Sequence, residues 1–105
     1  MTFRIVLEPE ANADLQRLYR YQLDRAEYVE DLEVADRALQ AIEEAIKALA
    51  KVPFLFRRED GSRSPLRREL VVPFGASGYV LKYEIASPTL VVVLAVRHQH
   101  EADYH

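Results

Sequence analysis

The sequence contains no cysteine. That excludes a disulfide scaffold, a thiolate zinc site, an iron–sulfur cluster and cysteine nucleophilic catalysis. Long hydrophobic runs are missing too: the longest, Leu90–Val96, has seven residues, against the roughly 20 that a spanning helix needs. The opening Met1-Thr2-Phe3-Arg4 lacks the apolar stretch of a secretory signal. Nor is there an excess of positive charge. The formal net charge is −3, so neutralising phosphates is not a property of the chain as a whole. From these absences we expect a cytoplasmic protein with no membrane partner and no need for an oxidising compartment.

What is present is a globular composition, with 50% hydrophobic and 30% charged residues in a chain of 105. That length predicts a single domain over residues 1–105, burying roughly 65% of the surface of its extended chain. Charge is unevenly placed. Residues 1–50 carry six Lys/Arg against eleven Asp/Glu, and residues 51–105 carry eight against six. The basic concentration is Lys51–Arg68, where Lys51, Arg57, Arg58, Arg63, Arg67 and Arg68 outnumber Glu59 and Asp60. Such a cluster suits either a solvated loop or a binding surface.

Hydrophobic periodicity predicts the order β-α-α-β-β-β. Phe3, Ile5 and Leu7 alternate with Arg4, Val6 and Glu8 as a short strand. Pro9 suits a first helical position, and Glu8, Glu10 and Asp14 complement the helix dipole, giving a helix over about residues 10–26. The join at 24–33 lacks Gly and Pro, leaving the boundary between the helices poorly marked, with Asp31 as a plausible cap for the second. Ala35, Leu39, Ile42, Ile46 and Leu49 then form a narrow apolar stripe that Val52-Pro53 ends. Residues 54–65 read as a loop. Leu66–Phe74, Gly78–Ile85 and Leu90–Val96 read as three strands of an antiparallel meander, the last as a central strand covered on both faces. The expected fold is α+β, a two-helix hairpin on one face of a four-stranded, mainly antiparallel sheet.

Several segments carry a family resemblance. Val6-Leu7-Glu8-Pro9-Glu10-Ala11 with Asp14-Leu15, then Leu66-Arg67, Val72-Pro73-Phe74-Gly75, Gly78-Tyr79-Val80-Leu81-Lys82-Tyr83 and Val96-Arg97-His98-Gln99-His100-Glu101, resemble the RelE/ParE superfamily of type II toxin–antitoxin toxins in order and spacing. The resemblance covers nearly the whole chain. It implies a toxin neutralised by a cognate antitoxin, with DNA contacted only indirectly through the antitoxin, and no cofactor. Within the superfamily, RelE-type members are ribosome-dependent messenger-RNA endonucleases and ParE-type members of plasmid-stabilisation modules poison DNA gyrase.

Several features favour the ParE side, among them the Leu66-Arg67 pair and the Pro73/Gly75 turn, which look more like ParE than RelE. RelE nucleases commonly place an Arg directly after the Tyr of the middle meander strand, and after Tyr79 this chain has Val80. Ser87-Pro88-Thr89-Leu90-Val91-Val92-Val93, leading to a His, looks like the last ParE hairpin. The resemblance then implies contacts with gyrase from Arg57, Arg58, Arg63, Arg67, Arg97 and His98, and no catalytic residue. If the chain were a nuclease, phosphate contacts would fall to Arg67, Lys82 and Arg97, with His98, His100 or Tyr104 moving protons. Lys82 is expected on the face opposite Tyr79, Leu81 and Tyr83, converging there with Arg67 and Arg97. Metal binding by His98, His100 and His105 lacks the supporting carboxylates and is not expected. A third possibility is an inactive member that only binds or regulates its antitoxin. Leu18, Tyr19, Tyr21 and Leu23 supply more apolar surface than one helix face needs, which makes them candidate antitoxin anchors or, alternatively, cover for the sheet.

Overall fold

The computed structural model describes residues 2–99. In chain order the elements are β1 (Arg4–Leu7), α1 (Pro9–Asp24), α2 (Val29–Lys51), β2 (Arg57–Arg58), β3 (Arg67–Phe74), β4 (Ser77–Ser87) and β5 (Leu90–His98). The sheet runs β1-β5-β4-β3-β2, with β1 parallel to β5 and every other pair antiparallel. The expected α+β class and the meander hold. The sheet has one strand more than expected, because the 54–65 loop contributes Arg57 and Arg58, which pair with Glu69 and Arg68.

The helices form for local reasons and meet the sheet for hydrophobic ones. Pro9 opens α1, where a missing N–H costs nothing. The helix ends at Asp24, two residues before the expected limit. Asp31 does cap α2, but from inside its first turn: the carboxylate accepts the backbone N–H groups of Glu27 at 2.9 Å and Tyr28 at 3.1 Å. Of the α2 stripe, Ala35, Ile42 and Leu49 are buried, together with Ala38, while Leu39 and Ile46 are half-buried. Ala38, Ile42 and Leu49 belong to one core cluster with Leu81, Tyr83 and Ile85 of β4 and Val91, Val93 and Val96 of β5. Each such aliphatic side chain contributes about 1.5–3 kcal/mol on burial.

Two strand readings change. The helices cover only one face of β5, so Val91 and Val93 are buried while Leu90, Val92 and Leu94 are half-buried. The β5 strand is central but not covered on both faces. The β3–β4 connection is a tight turn at Gly75-Ala76, with Gly75 at φ +61°, the left-handed conformation that a glycine at the first central position of a II′ hairpin supplies. Gly78 is required for a different reason: a Cβ there would lie 2.2 Å from the carbonyl oxygen of Val72.

Candidate functional site

The sheet has a helix-covered face and an open one, and strand parity sorts the candidate residues between them. On the open face, Arg67 Nε lies 3.0 Å from Glu59 Oε2 and Lys82 Nζ lies 3.8 Å from Glu59 Oε1. Arg57 Nε pairs with Glu69 Oε1 at 3.0 Å. Lys82 and Arg67 therefore converge opposite Tyr79, Leu81 and Tyr83, as strand alternation predicts, but around a shared carboxylate.

Arg97 does not join them. Its Nη1 lies 2.6 Å from Asp14 Oδ2. Asp14 is only 6% exposed, and the same oxygen accepts the Val96 backbone N–H at 3.0 Å. The reason is topological. Pairing between β1 and β5 stops at Leu7 and Val93, so among the described residues the β5 edge beyond has no strand partner, and a buried N–H must find one. The carboxylate of α1 supplies it, and Arg97 supplies the counter-charge. In the sequence Asp14 stands out only as a dipole partner of α1 and as part of the Asp14-Leu15 resemblance. The signal was its place in the core-facing spacing Ala11-Asp14-Leu18, all three buried, where a carboxylate needs partners.

On the helix-covered side, at the end of β5, His98 Nε2 sits 3.0 Å from Ser77 Oγ, and its ring meets Tyr79 edge-on at 5.8 Å. His98 lines a cleft of about 520 Å³ with Tyr21, Gln22, Arg25, Asp31 and Ser77. A neighbouring cavity of about 350 Å³ shares Tyr21, Gln22 and His98 and adds Arg17 and Tyr79. Arg25 packs over the Tyr21 ring and donates to its hydroxyl at 2.5 Å. Gln22, Arg25 and Ser77 were not singled out in the sequence, since none sits in a pattern that marks it.

The proposed antitoxin anchors divide. Leu18 belongs to the core and is 6% exposed, so as an anchor it is corrected: its side chain faces the sheet. Tyr19 bridges the helices, donating from its hydroxyl to Asp36 Oδ1 at 2.8 Å; that hydrogen bond raises its phenol above the ordinary range. Tyr21 and Leu23 are exposed, beside Tyr28, Val29 and Leu32 at the hairpin tip. Arg58 and Arg63 are also exposed, and no ion pair holds either among the described residues. His100, Tyr104 and His105 lie outside the described residues. Among the described residues no group of three or more His, Asp or Glu is placed to hold a metal ion, and no helix is long and apolar enough to cross a membrane.

The family model described as ParE toxin of type II toxin-antitoxin system, parDE, matches residues 5–103. The chain belongs to the ParE toxin family. This toxin is similar to Toxin RelE3 of Caulobacter vibrioides, 40% identical over 97 residues that cover 92% of this chain and 95% of the relative. It is also similar to Toxin RelE1 of the same organism, 30% identical over 92 residues, covering 88% and 89% of the two chains. A chain of the chromosomal ParDE TA system from P. aeruginosa has the same fold, with a TM-score of 0.69 over 92% of this toxin and 96% of that chain at 20% identity. It is a type II toxin–antitoxin toxin of the RelE/ParE superfamily.

Proposed function

We propose that this toxin acts by binding and inhibiting DNA gyrase, and that its antitoxin silences it by seating on the exposed edge of the helical hairpin at Tyr21 and Leu23. The observation that carries the choice of target is that the sheet's candidate phosphate-binding cations are engaged by carboxylates and lie apart from His98. The arginines lining the His98 clefts, Arg25 and Arg17, are themselves stacked on Tyr21 and paired with Asp14, respectively. Arg67 and Lys82 lie on the open face, tied to Glu59, while His98 lies on the helix-covered side, bonded to Ser77. A ribonuclease must bring a phosphate-binding cation and a proton-transferring group to one scissile bond. Arg97, the cation next to His98 in sequence, is neutralised by Asp14. In a gyrase inhibitor none of these side chains performs chemistry, and Arg57, Arg58, Arg63, Arg67, Arg97 and His98 act, where they act, as contacts.

Supercoiling of relaxed plasmid by purified gyrase, with toxin in excess, tests this. Inhibition with trapped cleaved DNA is expected, and normal supercoiling rejects it. Because the relatives carry RelE names, the messenger-RNA endonuclease is the second reading to test. Primer extension on translated transcripts after induction is expected to show no codon-phased cleavage. A chain that neither arrests growth nor binds the product of the adjacent reading frame would count against both targets, and growth unaffected despite binding would favour a purely regulatory partner.

A further inference from the structure

We infer that the segment from Val52 to Leu66 is the surface on which this toxin docks its protein target, and that the surface it receives is an acidic segment presenting an aliphatic or aromatic side chain. The inference rests on the toxin reading above, though not on which target the toxin has. Leu55 is 73% exposed and Phe54 55%, with Val52 and Leu66 also exposed. Single exposed apolar residues are ordinary. These four are held together by a backbone that is firmly fixed. Pro53 is fully buried and its carbonyl accepts the Tyr83 hydroxyl at 2.6 Å. Arg68 donates to the carbonyls of Pro65 at 2.8 Å, Phe56 at 2.9 Å and Phe54 at 3.1 Å, with its guanidinium over the Phe54 ring. One buried tyrosine and one arginine thus gather both ends of the segment, so that it presents its apolar side chains outward on a set backbone. A preorganised apolar patch with a polar rim is the form of an interaction site.

The rim specifies the partner. Lys51–Arg68 carries six cations against two acids in a chain of net charge −3. Arg57, Arg67 and Arg68 are engaged inside the toxin. Lys51, Arg58 and Arg63 are exposed, with no ion pair among the described residues, and attract an acidic surface. A second exposed apolar patch, Tyr28, Val29 and Leu32 at the hairpin tip, has the opposite rim: residues 24–33 hold five acids and one cation. Two apolar patches with rims of opposite sign suit two different partners. The antitoxin belongs to the acidic-rimmed one near Tyr21 and Leu23, and the target to the basic-rimmed one.

The test uses Leu55→Ser and the pair Arg58→Glu with Arg63→Glu, all at exposed positions where folding tolerates change. Growth arrest on induction, affinity for the antitoxin encoded beside the toxin, and the melting temperature are measured for each. Both variants should need at least about tenfold more toxin to arrest growth, while antitoxin Kd stays within about twofold. Val29→Ser with Leu32→Ser should do the reverse. Arrest by Leu55→Ser at the wild-type level overturns the inference, as does a loss of antitoxin affinity in the same variants. So does a matched loss of cosedimentation with phosphatidylglycerol vesicles, which would make the patch a lipid contact. If wild-type toxin arrests growth through this patch but leaves gyrase supercoiling intact, the gyrase reading fails and the docking surface stands. A wild-type chain without effect on growth overturns both.

Discussion

Asp14 and Val96 are 82 positions apart, yet the carboxylate of one closes the backbone hydrogen-bond account of the other at 3.0 Å. The bond joins the first turns of α1 to the open edge of β5, and it fixes Arg97 at 2.6 Å on the same oxygen. A buried charge, an unpaired strand edge and a candidate target-binding cation meet here.

Asp14→Ala should therefore cost about 2–4 kcal/mol, since it leaves a buried N–H unsatisfied and a partly buried guanidinium unpaired. Asp14→Asn, which keeps an acceptor but loses the charge, should cost less. Urea unfolding checks this: the midpoint falls in that order while the slope stays constant. Equal loss in both variants would show that the charge, not the acceptor, holds the β5 edge.

Gly78→Ala should destabilise by about 1–3 kcal/mol, the range for forced overpacking. The added methyl meets the Val72 carbonyl oxygen, which is backbone and cannot rotate away. Gly75→Ala strains the same hairpin through φ rather than contact. Thermal melts of the two variants and the double mutant would show non-additive losses, because both act on one turn.

Much of this molecule is legible in its sequence, and the illegible part has a physical cause. The alternation of Tyr79, Leu81 and Tyr83 and the three-four stepping of Ala35 to Leu49 predict which faces are buried, because periodicity is a local consequence of burial. Strand pairing is not local. Arg57 and Arg58 are too few to show a period, and they become a strand only because Glu69 and Arg68 lie alongside. The same holds at the candidate site. Charge composition reveals a basic cluster, but not that Glu59 takes Arg67 and Lys82 or that Asp14 takes Arg97. Those pairings depend on which residues tertiary structure brings within 4 Å.

Alkaline pH should unlock the 53–56 segment through Tyr83. Burial pushes its phenol up to about 12, with the Arg68 guanidinium pulling weakly the other way. Its hydroxyl donates to Pro53, which requires the protonated form. In the unfolded chain a tyrosine ionises near about 10. From there to about 12 the unfolded state gives up a proton that the folded state keeps. The stabilisation is thus whole below pH 10 and disappears as pH rises through 12. Tyr83→Phe should flatten that decline in unfolding free energy, whereas Tyr19→Phe, at the surface, should leave most of it. A decline unchanged in Tyr83→Phe would assign it to other groups.

Glu59→Gln separates the two possible targets most sharply. Glu59 holds Arg67 at 3.0 Å and Lys82 at 3.8 Å, so the variant frees two cations on the open sheet face at a modest cost in stability, about 1 kcal/mol for partly exposed pairs. Freed cations bind polyanions better. The variant should elute from heparin at higher salt than wild type, and its affinity for single-stranded RNA should fall more steeply with salt. Binding alone does not cut a phosphodiester. His98 stays on the other side of the sheet, bonded to Ser77, and Arg97 stays on Asp14, so neither reaches the freed pair. Primer extension after induction of Glu59→Gln should show no codon-phased cleavage despite the stronger RNA affinity. If such cleavage emerges, the open face is a nuclease site that Glu59 restrains, and gyrase is not the target.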